Sequence, residues 1–78
     1  MDLQSLLLKH RIPQHLLRKT AVALGYKLDQ AYLSKVVRGE LPASLRYRCG
    51  IRSALRVLKV PVKQIRAVKA LTPPAEVW

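Results

Sequence analysis

The sequence predicts an all-α fold, a compact bundle of about five short helices. Three observations predict it. Apolar residues recur at spacings of three and four along most of the chain, as they do on a helix with one buried face. No stretch shows the apolar–polar alternation of a half-buried strand. The breaks between periodic stretches carry helix punctuation, with Asp, Ser or Pro ahead of a helix and Gly or Pro behind it. At 78 residues the chain has room for one domain, expected over residues 1–71, followed by a C-terminal tail over 72–78. A domain this small buries only about 60% of the surface its unfolded chain exposes, so its core is marginal.

The elements follow in order. A first helix is expected from Leu3 to His10, capped by Asp2, with Leu3, Leu6 and Leu7 inward. Ile12-Pro13 ends that stretch, because a residue before proline avoids the helical region. Pro13 opens a second helix that reaches Leu24, with Leu16, Leu17, Ala21 and Leu24 on one side, and Gly25 supplies a left-handed stop. Tyr26-Lys27-Leu28 forms a turn in which Leu28 precedes the capping Asp29 as a hydrophobic staple. The third helix runs from Asp29 to Arg38, with Leu33, Val36 and Val37 inward, and Gly39 closes it. Ser44 caps a fourth helix that continues to Lys59. Its residues Tyr47, Ile51, Ala54, Leu55 and Leu58 share one arc at 100° per residue, and Arg48, Arg52, Arg56 and Lys59 share the adjacent arc. Pro61 opens a fifth helix ending near Leu71, where Thr72-Pro73-Pro74 stops it.

Charge is the dominant compositional feature. Fifteen Lys and Arg stand against four acidic residues, for a formal net charge of +11. The acids are Asp2, Asp29, Glu40 and Glu76, so residues 41–75 contain none, yet they hold Arg46, Arg48, Arg52, Arg56, Lys59, Lys63, Arg66 and Lys69. Self-repulsion on that scale destabilises a folded chain, which points to a polyanionic partner. Nucleic acid is the first expectation; an anionic membrane surface and an acidic protein are the alternatives. The third helix narrows the choice. A helix that enters the major groove presents short polar or small side chains near its start, and Gln30, Ala31 and Tyr32 occupy that position. A glutamine amide can pair with an adenine edge through two hydrogen bonds, and an alanine methyl can touch a thymine methyl. Two short helices joined by a turn, the second carrying these residues, form a helix-turn-helix at helices two and three.

The stretch Leu28-Asp29-Gln30-Ala31-Tyr32-Leu33-Ser34-Lys35-Val36-Val37-Arg38-Gly39 resembles the turn and recognition helix of the Cro/lambda-repressor-like (XRE-type) DNA-binding family. The later stretch from Ala54 to Ile65 resembles the passage from the fourth to the fifth helix of that fold. The resemblance implies a lambda-repressor-like bundle and a sequence-specific, double-stranded DNA-binding transcriptional regulator of a prokaryotic phage or mobile element. It implies base contacts from Gln30, Ala31, Tyr32 and Lys35, and backbone contacts from Lys27, Ser34, Arg38, Arg46 and Arg48. It also implies a homodimer, for which Ile65, Val68, Leu71, Val77 and Trp78 are the expected surface. The sequence departs from the family in one place. The family's turn glycine lies four residues after a small alanine; counted back from Asp29 that place falls on Lys27, with Gly25 two residues earlier and the second helix about five residues longer than usual.

Other roles are weighed against this one. A sequence-indifferent architectural DNA binder, and an antitoxin-type interaction module, remain alternatives. Residues Arg56, Lys63, Arg66 and Lys69 either wrap flanking DNA or are simply solvated. No enzymatic role is expected: Ser34 has no neighbouring His, and no carboxylate pair is available for acid–base work. His10 and His15 lack companions for a metal site, so neither metal nor cofactor is expected. No small-molecule substrate is expected either. Cys49 stands alone, is read as a small core residue, and fits a reducing cytoplasm; the resemblance implies the bacterial nucleoid as the place within it. No apolar run reaches the roughly 18 residues of a membrane span, and the start does not resemble a signal peptide.

Overall fold

Helix initiation follows the side chains that can accept from an open backbone amide. In the computed structural model, which describes residues 2–71, α1 spans Leu3–Lys9 and begins at Asp2, whose Oδ1 accepts from the Ser5 N–H at 2.7 Å. That amide, with the Ser5 hydroxyl second, holds the Asp2 carboxyl below its ordinary pKa. α2 spans Gln14–Ala23 with Pro13 in the N-cap position. α3 spans Gln30–Val37 and is capped by Asp29, whose Oδ2 accepts from the Tyr32 N–H at 2.9 Å. α4 spans Leu45–Val57; Ser44 takes the N-cap position with extended backbone, but its hydroxyl makes no cap bond. α5 spans Val62–Arg66, and a 3₁₀ turn follows at Lys69–Leu71. Among the described residues the architecture is all-helical.

The first four helices end in the same way. A residue with positive φ follows each one, and the next N–H reaches back to a carbonyl in the last turn, the six-to-one bond of a Schellman closure. These bonds are Ile12 N–H to Leu7 O (2.9 Å), Tyr26 N–H to Ala21 O (3.0 Å), Glu40 N–H to Lys35 O (2.8 Å) and Val60 N–H to Leu55 O (3.0 Å). Gly25 and Gly39 fill the left-handed position as expected, at φ +98° and +78°. The other two closures use Arg11 and Lys59, at φ +55° and +67°. The fourth helix therefore stops at Val57 rather than running to Lys59, because Lys59 is itself the closing residue.

The core sits between α2 and α4, which form the principal helix pair. Leu17 and Ala21 from α2 meet Ile51, Ala54 and Leu55 from α4, all of them fully buried. Leu3, Leu6 and Leu7 of α1 and Leu33, Val36 and Val37 of α3 join the same cluster. No polar or charged side chain is buried among the described residues. His10 at the end of α1 donates from Nε2 to Gln64 Oε1 at 2.5 Å, joining α1 to α5.

Four expectations are corrected. Leu24 is 45% exposed, because it is the C-cap residue of α2 and leaves the helical face there. The fifth helix breaks after Arg66 instead of running to Leu71. Ile65, Val68 and Leu71 are spaced by three, and in a continuous α-helix that spacing would rotate each about 60° further from the core. Breaking the helix and tightening to a 3₁₀ turn, with its repeat of three, buries all of them. These three side chains are thus used inside the chain's own core and are not open to a partner; Val77 and Trp78 lie outside the described residues. Finally, Cys49 is half-buried and lines a surface groove rather than the core, with Arg52 Nη2 4.0 Å from its sulfur.

Candidate nucleic-acid interface

The start of α3 is held by contacts from three other parts of the chain. The Asp29 N–H donates to the Tyr47 hydroxyl of α4 at 2.8 Å. Arg18 of α2 donates from Nε to the Leu28 carbonyl at 2.8 Å. Tyr26 lies across Gly50 of α4, so close that a Cβ added at Gly50 would stand 3.1 Å from Tyr26 Cβ and Cγ. The ring of Tyr32 packs at a tilt on that of Tyr47, with centroids 4.6 Å apart, and its hydroxyl donates to the Pro42 carbonyl at 2.9 Å. Leu28 and Leu33, the staple pair on either side of Asp29, are both buried in the core. The residues from Tyr26 to Asp29 are therefore an anchored connection, tied to α2 on one side and α4 on the other.

Gln30 and Ala31 project from this anchored start and are exposed, as are Lys27 before it and Lys35 one turn on. Tyr32 is half-buried and its hydroxyl and ring serve the α3–α4 contact. Ser34 accepts from Arg38 Nη1 at 2.9 Å, and Arg38 Nε pairs with Glu40 Oε2. Two of the five guanidinium donors of Arg38 are thereby used. Arg46 lies in the first turn of α4 and lines a groove of about 380 Å³ with Lys27, Asp29, Arg18 and Tyr47. Arg48 is half-buried on α4. The structure brings Lys27, Gln30, Ala31 and Arg46 around one helix start, and leaves Ser34 and Arg38 as a linked pair at the far end of α3.

The spacing of α2 and its turn also differs from the sequence reading. Ala21 is the fully buried small residue of α2, and Gly25 follows it by four residues in a left-handed conformation. The alanine–glycine spacing is met when counted from Ala21. α2 itself has ten residues, and four residues, Tyr26 to Asp29, follow Gly25 before α3 begins. Arg18, Tyr26 and Tyr47, the side chains that brace this connection, had no signal in the local sequence, since each acts on a partner made adjacent only by folding.

Comparison with protein-family models, with curated proteins and with solved structures finds no match to this chain. Among the described residues no three His, Cys, Asp or Glu lie together as a metal site would need, and no helix is long and apolar enough to cross a membrane.

Proposed function

We propose that the chain is a sequence-specific double-stranded DNA-binding protein that reads the major groove with α3, acting as a transcriptional regulator of the helix-turn-helix type. The observation that carries the reading is the start of α3, where exposed Gln30 and Ala31 stand on a helix end fixed by Asp29, Arg18 and Tyr47 and flanked by Lys27 and Arg46. Base reading needs side chains held in register, and backbone contacts on either side set that register. Gln30 pairs with a base edge, Ala31 meets a thymine methyl, and Lys35 reaches a base further along the groove. Tyr32 is a brace for the helix rather than a reading residue. Lys27, Arg46 and Arg48 grip phosphates, assisted by the open amides at the start of α4, which has no side-chain cap. Ser34 and Arg38 contribute a further phosphate contact from the end of α3. The Ala21–Gly25 spacing adds support for a Cro/lambda-repressor-like arrangement with a lengthened turn. Pairing of two copies on a two-fold symmetric site would double the few base contacts one short helix offers, as in other regulators of this type.

A second reading, sequence-indifferent packaging of DNA, draws on the arginines of α4 that lie beyond the α3 site. Competition binding at about 0.15 M salt separates the two. A regulator holds its site against random duplex, whereas equal competition supports packaging. Within the first reading, Gln30→Ala relaxes preference at one base position and weakens the specific complex by about 1–3 kcal/mol, measured by titrating single-base operator variants. Unchanged preference in that variant would remove α3 as the reading helix.

A further inference from the structure

Three neighbouring grooves form a track from the start of α3 along α4 to α5. It begins in the groove of Arg18, Lys27, Asp29 and Arg46. It passes through a smaller groove of about 260 Å³ that shares Lys27 and Arg46 and adds Gly25 and Tyr26. It ends in a groove of about 340 Å³ that shares Tyr26 and is lined by Cys49, Arg52, Ser53, Arg56 and Arg66. Lys27 and Arg46 line both the first and the second groove, and Tyr26 lines both the second and the third, so the three are neighbours. Of the three described carboxylates, Asp2 caps α1 and Glu40 pairs with Arg38, while Asp29, which lines the first groove, accepts from the Tyr32 N–H as the cap of α3. None lies on α4 or α5. The charged side chains that line the second and third grooves are all cations, and a concave wall lined by one sign of charge focuses its field and concentrates counter-charge there.

We propose that this track holds the phosphate backbone of duplex flanking the site that α3 contacts, with Arg52 and Arg56 as its principal phosphate ligands and Tyr26 as the joint between the two surfaces. The inference rests on the DNA-binding reading above but not on base-specific contacts by Gln30. An extended polyanion fits better than a small one because the path is open and longer than any one groove. Along α4, Arg46 and Arg56 are separated by about 15 Å of helix rise. Laid along the duplex axis, that length spans about four phosphates of one strand, at roughly 3.4 Å of axial rise each. The track therefore adds length to the footprint on one side of the reading helix.

The test compares the full chain with an Arg52→Ala/Arg56→Ala double variant on random-sequence duplexes of about one and about three helical turns, with the melting temperature of each protein recorded. The full chain binds the longer duplex more tightly per site. The double variant loses roughly tenfold on the longer duplex near physiological salt, its slope of log K against log salt becomes shallower by about two, and it matches the full chain on the short duplex. An Arg52→Lys/Arg56→Lys variant keeps most of the length dependence, since it keeps the charge. Equal losses on both duplexes, no loss on either, or a loss confined to single-stranded RNA of the same length each overturns the proposal. If the full chain shows the length-dependent effect but no sequence preference, the track stands and the base-reading role of α3 fails.

Discussion

α3 and α4 meet at the Tyr32–Tyr47 pair, and they are built on different terms. α3 is short, capped by a carboxylate, and presents uncharged Gln30 and Ala31 where it is most firmly held. α4 is longer, has no side-chain cap, and carries Arg46, Arg48, Arg52 and Arg56 with no acid among them. Short neutral side chains on a fixed helix suit discrimination, which depends on geometry. Long charged side chains on an adjacent arc suit attraction, which tolerates misplacement and falls with salt. The difference teaches that position and charge are handled by separate elements here, with the tyrosines as their junction.

The most severe way to break the comparison is to remove what both helices share. Leu55 is fully buried on α4 within the core that α2 and α3 also enter. Leu55→Ala is expected to cost about 3 kcal/mol, a large part of the stability of so small a domain. Denaturant unfolding measures the loss, and both helices are expected to unfold in one transition. Separating the helices without unfolding them is the aim of Tyr47→Phe. It removes the hydroxyl that accepts from the Asp29 N–H and costs about 1 kcal/mol. Binding to a specific duplex is expected to weaken more than binding to random duplex, because α3 loses its register while the charge on α4 is unchanged. Equal weakening would show that the brace does not serve discrimination. The smallest effect expected is a gain. Lys59→Gly relieves a left-handed backbone at the end of α4 and is expected to raise stability by up to about 1 kcal/mol, read as a higher melting temperature.

Much of the fold was legible in the sequence because its signals are local. Asp2 and Asp29 are at helix starts, Gly25 and Gly39 are at left-handed stops, and the apolar arc of α4 faces the core. The misreadings have physical causes. Nothing about an arginine or a lysine marks a left-handed closure, so the stops at Arg11 and Lys59 were invisible. The run from Pro61 to Leu71 carries apolar residues at a spacing of three, which α and 3₁₀ geometry share over one turn and divide only over two. In the candidate site, Gln30, Ala31 and Lys27 could be placed because they adjoin a cap. The bracing by Arg18, Tyr26 and Tyr47 could not, since the Asp29–Tyr47 bond joins residues 18 apart in the chain. The arginines of α4 could be assigned to one arc, but the groove they share with Tyr26 and Arg66 needs α2 and α5 in place.

The closures at Arg11 and Lys59 bear on more than backbone strain. Glycine at both positions would ease the backbone and would also lower the formal net charge of +11 by two. Each cation instead lies just past a helix C-terminus, where the partial negative charge of the helix dipole favours it. Loop positions that commonly carry no charge therefore add to the positive long-range potential of the molecule, which in the proposed role would draw DNA toward it before any contact is made. Under the proposed DNA-binding role, the speed of encounter would join the stability of the fold in favouring a cation at these turns.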